Sequence, residues 1–193
     1  LSAILSILKR LGERRPYFHL YGGDGSLYMG RWWLLGGSHP VRDDRGSVRV
    51  GLDPFHRWAA QIDRKEIGWI RGELDAWIGQ FIAIRLHHIA REDRARHHHT
   101  HPASFISIVI AGWYRERRPY RQVQPALLDE HEYTDTLRKP GSIAFRRASD
   151  RHTITEVSPG GCWTVVIWFR KQSRWGFHTP DAFIDSRDYP EQP

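Results

Sequence analysis

The chain has 193 residues, 40% of them hydrophobic and 26% charged, a length and balance that suit a single globular domain with a real core and exclude a disordered chain. Its formal charge of +7 and pI of about 9.9 permit contact with nucleic acid or another polyanion, but the basic residues are spread along the whole chain and form no folded nucleic-acid motif. One cysteine, Cys162, excludes an intramolecular disulfide and a cysteine-rich zinc site, and the lack of a membrane-length apolar run or a signal peptide makes a cytoplasmic location the expectation.

Leu1, Ile4, Leu5, Leu8 and Leu11 recur at helical spacing, followed by basic residues and closed by Pro16, which predicts an amphipathic N-terminal helix over 1–16 that needs a surface to cover. Residues 17–38 mix aromatics with glycine pairs. They read as two outer strands, Tyr17–Tyr21 and Leu27–Leu35, joined by a GGDG turn. Residues 37–47 read as loop and SVRVGL as a short edge strand. Asp53 followed by Pro54 is a helix start, an N-cap with proline at the first helical position. A mainly helical insertion over 53–80 is expected, with Trp58, Trp69 and Trp77 as core or lid contacts.

From Phe81 the pattern alternates, with Ile82, Ile84, Leu86 and His88 on one face and Ala83, Arg85, His87 and Ile89 on the other. His87 and His88 read as structural or as supports behind a site. Residues 91–96, REDRAR, read as a charged turn. The stretch RHHHTHPASFISIVIAG, residues 96–112, then runs a burst of histidines into a β-branched apolar strand that stops at Gly112. Imidazole is the commonest metal-ligating side chain, and residues i and i+2 of a strand face the same way, so His99 and His101 present both rings to one side.

After Gly112, WYRERRP continues as a strand, and 125–139 is polar enough for a connecting loop. GSIAF and HTITEV are expected to form a hairpin, SPGG a turn, and CWTVVIWF the most apolar strand of the chain, with Cys162 a small buried residue. The tail reads as a loop with aromatic anchors folding back over the domain. Many short strands at turn-separated intervals point to a β-sandwich or barrel. Nine tryptophans imply wide aromatic surfaces inside it or at a subunit interface, and a homodimer is expected.

The histidine stretch resembles the first motif of the cupin superfamily, G-x5-H-x-H-x3,4-E-x6-G, because eleven residues beyond His101 lies Gly112. The register is selective: pairing His97 with His99 would put Ile110 or Ala111 where the glycine belongs. The second motif, G-x5-P-x-G-x2-H-x3-N, can be laid on GSIAFRRASDRHTITE with Gly141 first and His152 on the histidine. Phe105 stands where the first motif has glutamate, Arg147 and Ser149 replace the second motif's proline and glycine, and Glu156 replaces its asparagine. Segments near both ends, LYMGRWWLLGG and WTVVIWFRKQSRWGFHTPDAFIDSRDY, also resemble cupin-like proteins of phages and proteobacteria, a likeness that implies no particular activity.

The resemblance implies a mainly β, cupin-type β-barrel (double-stranded β-helix) spanning 1–193, with its core over 81–170, and a metal held by His99, His101 and His152 with no carboxylate ligand. That is the ligand set of the thiol, diketone and gentisate dioxygenases of the superfamily. Three neutral imidazoles suit a divalent ion, Fe(II) first, with Zn, Ni or Cu able to take the same place. Phe105, Ser107 and Val109 share the cavity face by parity. Tyr114 and Glu116 could face inward from the next strand as catalytic groups, and Arg146 or Arg147 is the candidate for gripping an anionic small-molecule substrate. The function implied is an iron dioxygenase or hydroxylase. Its alternatives are a binding or assembly protein of the phage type with a structural metal or none, and a sugar isomerase or epimerase.

Overall fold

The structure is a computed structural model that describes residues 2–12, 17–21, 26–35, 78, 81–94, 97–120, 133–172, 174–179, 182–185 and 188. The expected loop at 37–47, the SVRVGL strand and, Ile78 apart, the helical insertion at 53–80 lie outside these residues. Within them one helix, α1 (Ser2–Gly12), precedes eleven strands: β1 (Tyr17–Tyr21), β2 (Leu27–Leu35), β3 (Ile82–Ile89), β4 (Ala103–Ala111), β5 (Tyr114–Pro119), β6 (Tyr133–Arg138), β7 (Ile143–Arg146), β8 (Thr153–Val157), β9 (Cys162–Lys171), β10 (Gly176–His178) and β11 (Phe183–Asp185). No helix among them is long and apolar enough to cross a membrane.

The most apolar stretch of the sequence, β9, becomes the middle of a six-stranded sheet ordered β1-β2-β3-β9-β4-β7, in which it pairs antiparallel with β3 on one side and β4 on the other. Direct partners across an antiparallel ladder share a face, so the register assigns an inner face made of Met29, Arg31, Trp33, Arg85, His87, Ile89, Phe105, Ser107, Val109, Thr164, Val166 and Trp168. A second sheet, β6-β5-β8, supplies Tyr114 and Ile154 to a buried cluster with Tyr28, Met29, Ile89, Val109 and Cys162, and the core lies between the two sheets. The alternating strand that separates His87 from His88 is visible in their surroundings. His87 is buried, whereas His88 stacks on Trp163, which in turn stacks on Trp32 and lies beneath Lys9 of α1. α1 thus covers the outer face of the larger sheet, while its other stripe, Ile4, Ile7 and Leu11, is exposed.

Three expectations change. Residues 133–138 of the expected loop form β6, an edge strand hydrogen-bonded to β5; Tyr133, Thr134 and Thr136 favour a strand, and an edge tolerates their polarity. GSIAF and HTITEV form no hairpin: β7 joins β4 in the larger sheet and β8 joins β5 in the smaller one. The chain crosses between them at a turn closed by Asp150, whose carboxylate accepts from Arg147 N at 3.0 Å. The tail carries a short hairpin of its own, β10-β11, anchored by the fully buried Phe177.

Gly112 closes β4 with φ 70°, and a Cβ there would run into the Gly161 carbonyl and stand 2.6 Å from Ser158 Oγ. Backbone strain and a clash against main chain act together at this position, so Gly112→Ala should lower unfolding stability by about 2 kcal/mol or more. Urea denaturation checks it; a loss under about 0.5 kcal/mol, the ordinary surface value, would mean the turn relaxes freely.

Candidate metal centre

His99 precedes β4 and forms an antiparallel bridge with His152, each donating its N–H to the other's carbonyl, at 3.0 and 3.2 Å. That bridge sets the two side chains side by side although 53 positions separate them in the chain. Thr100 faces the other way, donating its N–H to the Gly176 carbonyl at 2.9 Å and so docking the tail hairpin. His101, held by its N–H to the Ala148 carbonyl, returns to the side of His99. One ring nitrogen from each of His99, His101 and His152 lies within 4.8 Å of the other two, the three-histidine grouping that the cupin resemblance implies. The neighbouring His98 takes no part in this group and stacks flat on Tyr133, with ring centroids 5.1 Å apart.

His152 donates Nδ1–H to Glu116 Oε1 at 2.8 Å. With that tautomer assigned from the hydrogen-bond network, Nε2 carries a lone pair, and His101 Nε2 lies 2.6 Å from it. Two lone pairs cannot face one another so closely, so His101 Nε2 either donates its own N–H to His152 Nε2 or, in the tautomer that leaves it bare, shares a metal ion with it. Burial holds His99 down to about 4, against the opposing pull of Asp93, and burial together with His152 and His99 holds His101 well below its ordinary range. Both rings are therefore neutral at pH 7, the form that ligates metals. Nitrogen ligands bind such ions at about 2.0–2.2 Å, so neighbouring ligands stand roughly 3 Å apart. The three rings need only small adjustments to reach that separation, and the donor set fits a divalent ion.

Buried carboxylates stand behind two of the three rings. Glu116, 1% exposed, accepts from His152, from Arg146 Nε at 2.7 Å and also Arg146 Nη2, and from Arg138 Nε at 3.1 Å. Burial pushes its pKa up, but the hydrogen bonds from His152 and Arg146 and the guanidinium charge outweigh that and hold the carboxyl well below the usual range. Asp93 lies 3.6 Å from His99 Nδ1 and accepts from the Tyr28 hydroxyl and, at 2.7 Å, from Ile154 N. Sequence reasoning missed Asp93, reading it as part of a charged turn. The available signal was its position six residues before His99, where the first motif has its first glycine.

Phe105 is where parity put it. Its ring meets His101 edge-on at 4.7 Å and Trp168 at 4.9 Å, and it lies 6.5 Å from His152. Tyr114 is buried, hydrogen-bonded to Ser107 across the two sheets, and burial with the nearby Glu116 charge raises its pKa. Of the two candidate arginines, Arg146 turns inward and commits its guanidinium to Glu116. Arg147 is exposed and is not brought to the histidines; it lines a surface groove with Ser104, Phe145 and Gln172.

No family model and no curated protein sequence matches the chain. Solved structures do. The DMSP lyase DddQ from Ruegeria pomeroyi DSS-3 superposes with a TM-score of 0.51 at 14% identity over 94% of this chain and 70% of that one. The fold is a cupin-type β-barrel. Weaker likenesses, which add nothing to that conclusion, are to FeII HppE, with a TM-score of 0.43 at 11% identity over 80% of this chain and 56% of that one, and to the oxalate decarboxylase of Lactobacillus farciminis, with 0.35 at 17% over 48% and 25%. At these identities the likeness concerns the fold alone.

Glu116→Gln removes the charge while keeping the shape, which leaves buried Arg146 without its counter-ion. The cost should be on the order of 3 kcal/mol at pH 7. Because folding depresses this pKa, the stabilisation is complete above the unfolded carboxylate's value of roughly 4.3 and is lost progressively as the pH falls below it. Urea denaturation of both proteins at pH 7 and pH 3 should show the gap narrowing in acid, and a gap that stays constant would contradict the assignment.

Proposed function

We propose that the chain is a mononuclear metal-dependent enzyme, an Fe(II) dioxygenase or hydroxylase acting on a small substrate, with His99, His101 and His152 as the protein ligands. The observation that carries the proposal is the convergence of three imidazoles with no carboxylate among them and an apolar ring, Phe105, at the edge of the group. Three protein ligands leave coordination positions for oxygen or substrate, and the metal, when bound, supplies redox and Lewis-acid chemistry at those positions. The chain's own residues supply the rest. Glu116 fixes the tautomer of His152 and so aims its Nε2, and Asp93 does the same service for His99 electrostatically. Tyr114, a neutral hydroxyl on the same interior, remains the candidate proton donor, whereas Glu116, held by two arginines and a histidine, acts as a positioning residue. Zn, Ni or Cu would suit the same nitrogens.

The test is metal titration with elemental analysis on protein carrying no histidine tag. Wild type should bind one equivalent of Fe(II). His101→Ala should lose it with an unchanged circular dichroism spectrum, and Phe105→Glu, adding a carboxylate oxygen beside His101, should tighten binding about tenfold, or 1.4 kcal/mol, while lowering oxygen consumption. Metal retained in full by His101→Ala, or affinity unmoved in a folded Phe105→Glu, would overturn the ligand assignment.

A further inference from the structure

Arg85 sits on the inner face of the larger sheet with its guanidinium over two aromatic rings, 4.8 Å from the Trp33 centroid and 5.4 Å from that of Trp168. Among the described residues no carboxylate faces it, and its Nε is buried with no hydrogen-bond partner. Two further nitrogens on the same face are in the same condition: Nε2 of His87, whose residue is 5% exposed and which donates in its Nε2–H tautomer, and the indole Nε1 of Trp168, 7% exposed. Strand register joins these groups. Arg85 stands opposite Trp33 and His87 opposite Arg31 across β2 and β3, and Trp168 packs on His101 with ring centroids 5.5 Å apart. Trp168 therefore touches the histidine group on one side and Arg85 on the other.

Buried polar groups in folded proteins nearly always have partners, and each exception calls for an explanation. Here three lie within one region, one of them cationic. Burial and the charge of Arg31 draw Arg85 down to about 9, so the fold bears a cost to keep a guanidinium there that no anion among the described residues offsets. Two other arginines of the interior are engaged by an anion: Arg146 and Arg138 serve Glu116. A guanidinium packed against two indole rings offers a planar N–H fork, and a carboxylate matches that fork in two parallel hydrogen bonds.

We propose that Arg85, with Trp168 Nε1 and His87 Nε2, forms a carboxylate-binding site beside the three histidines, so that the substrate is a small carboxylic acid held by its anionic end at Arg85 and presented to the metal centre. The substrate half rests on the metal reading above, but the anion site itself does not. Arg85 thus takes the role that the sequence suggested for Arg146 or Arg147. It binds and orients; it transfers no proton.

The experiment titrates the full chain with sodium acetate, reading tryptophan fluorescence and thermal unfolding against sodium chloride at equal ionic strength, once after EDTA treatment and once loaded with Fe(II). Acetate should raise the unfolding temperature and change the fluorescence beyond chloride in both states. The response should persist in His101→Ala and weaken at least tenfold in Arg85→Gln. Arg85→Lys keeps the charge but loses the fork and should also bind at least tenfold more weakly, which carries the test should Arg85→Gln fail to fold. A response no larger than chloride's, equal affinity in a folded Arg85 variant, tighter binding of inorganic phosphate than of acetate, or a response only when Fe(II) is loaded would each overturn the carboxylate site. Acetate binding in a protein that takes up no metal would leave this site standing and remove the metal reading.

Discussion

A single buried carboxylate joins the parts of this fold. Glu116 on β5 accepts hydrogen bonds from Arg138 on β6, from Arg146 on β7 and from His152 at the entry to β8, and so ties the three-stranded sheet to an edge strand of the six-stranded one. An ionised carboxylate loses several kcal/mol of hydration when buried, and it persists only if its oxygens are fully engaged by charged donors. The same three contacts that meet this cost fix the tautomer of His152. The stability of the barrel and the direction of one metal-ligating nitrogen are therefore set by one interaction.

The other histidines are placed by main chain. The backbone pair between His99 and His152 crosses between segments far apart in sequence, and the alternation of side chains carries His101 to the same side. Burial then keeps His99 and His101 neutral, so they are available as ligands without waiting for a change of pH. Phe105 and Trp168 wall the group with apolar surface. In that setting a donor left without a partner is expensive, and the unpartnered groups around Arg85 stand out against a neighbourhood in which Glu116 and Asp93 are fully engaged.

Much of this arrangement is legible in the amino-acid order because it depends on local periodicity. The spacing from His101 to Gly112 marks a strand with a fixed beginning and end, and the positive φ of Gly112 is the reason that only glycine suits the position. Strand parity placed Phe105 and Ser107 on the cavity side and grouped Arg85 with His87 on one face of β3, which the pairing with β9 makes the inner one. What could not be read depends on long-range pairing. Nothing local separates β7 from β8 into different sheets; the polar Asp150 turn looks like any hairpin turn. Nor does REDRAR disclose that Asp93 is buried while Arg94 is exposed, because Asp93 is drawn inward by Tyr28 and the Ile154 amide, 65 and 61 positions away. Arg146 and Arg147 stay undivided in the sequence for a related reason: adjacent residues face opposite ways, and which one turns inward follows from the pairing of Phe105 with Arg146.

The central claim is that three imidazoles share one metal ion, and X-ray absorption at the edge of the bound metal addresses it directly. Imidazole rings add a characteristic outer-shell scattering that carboxylates and water lack, so ring ligands can be counted. The expected spectrum has three imidazole nitrogens at about 2.0–2.2 Å, with the remaining first-shell scatterers light atoms lacking the ring signature. A fit requiring only one imidazole, or none, would contradict the claim and return the histidines to a purely structural role.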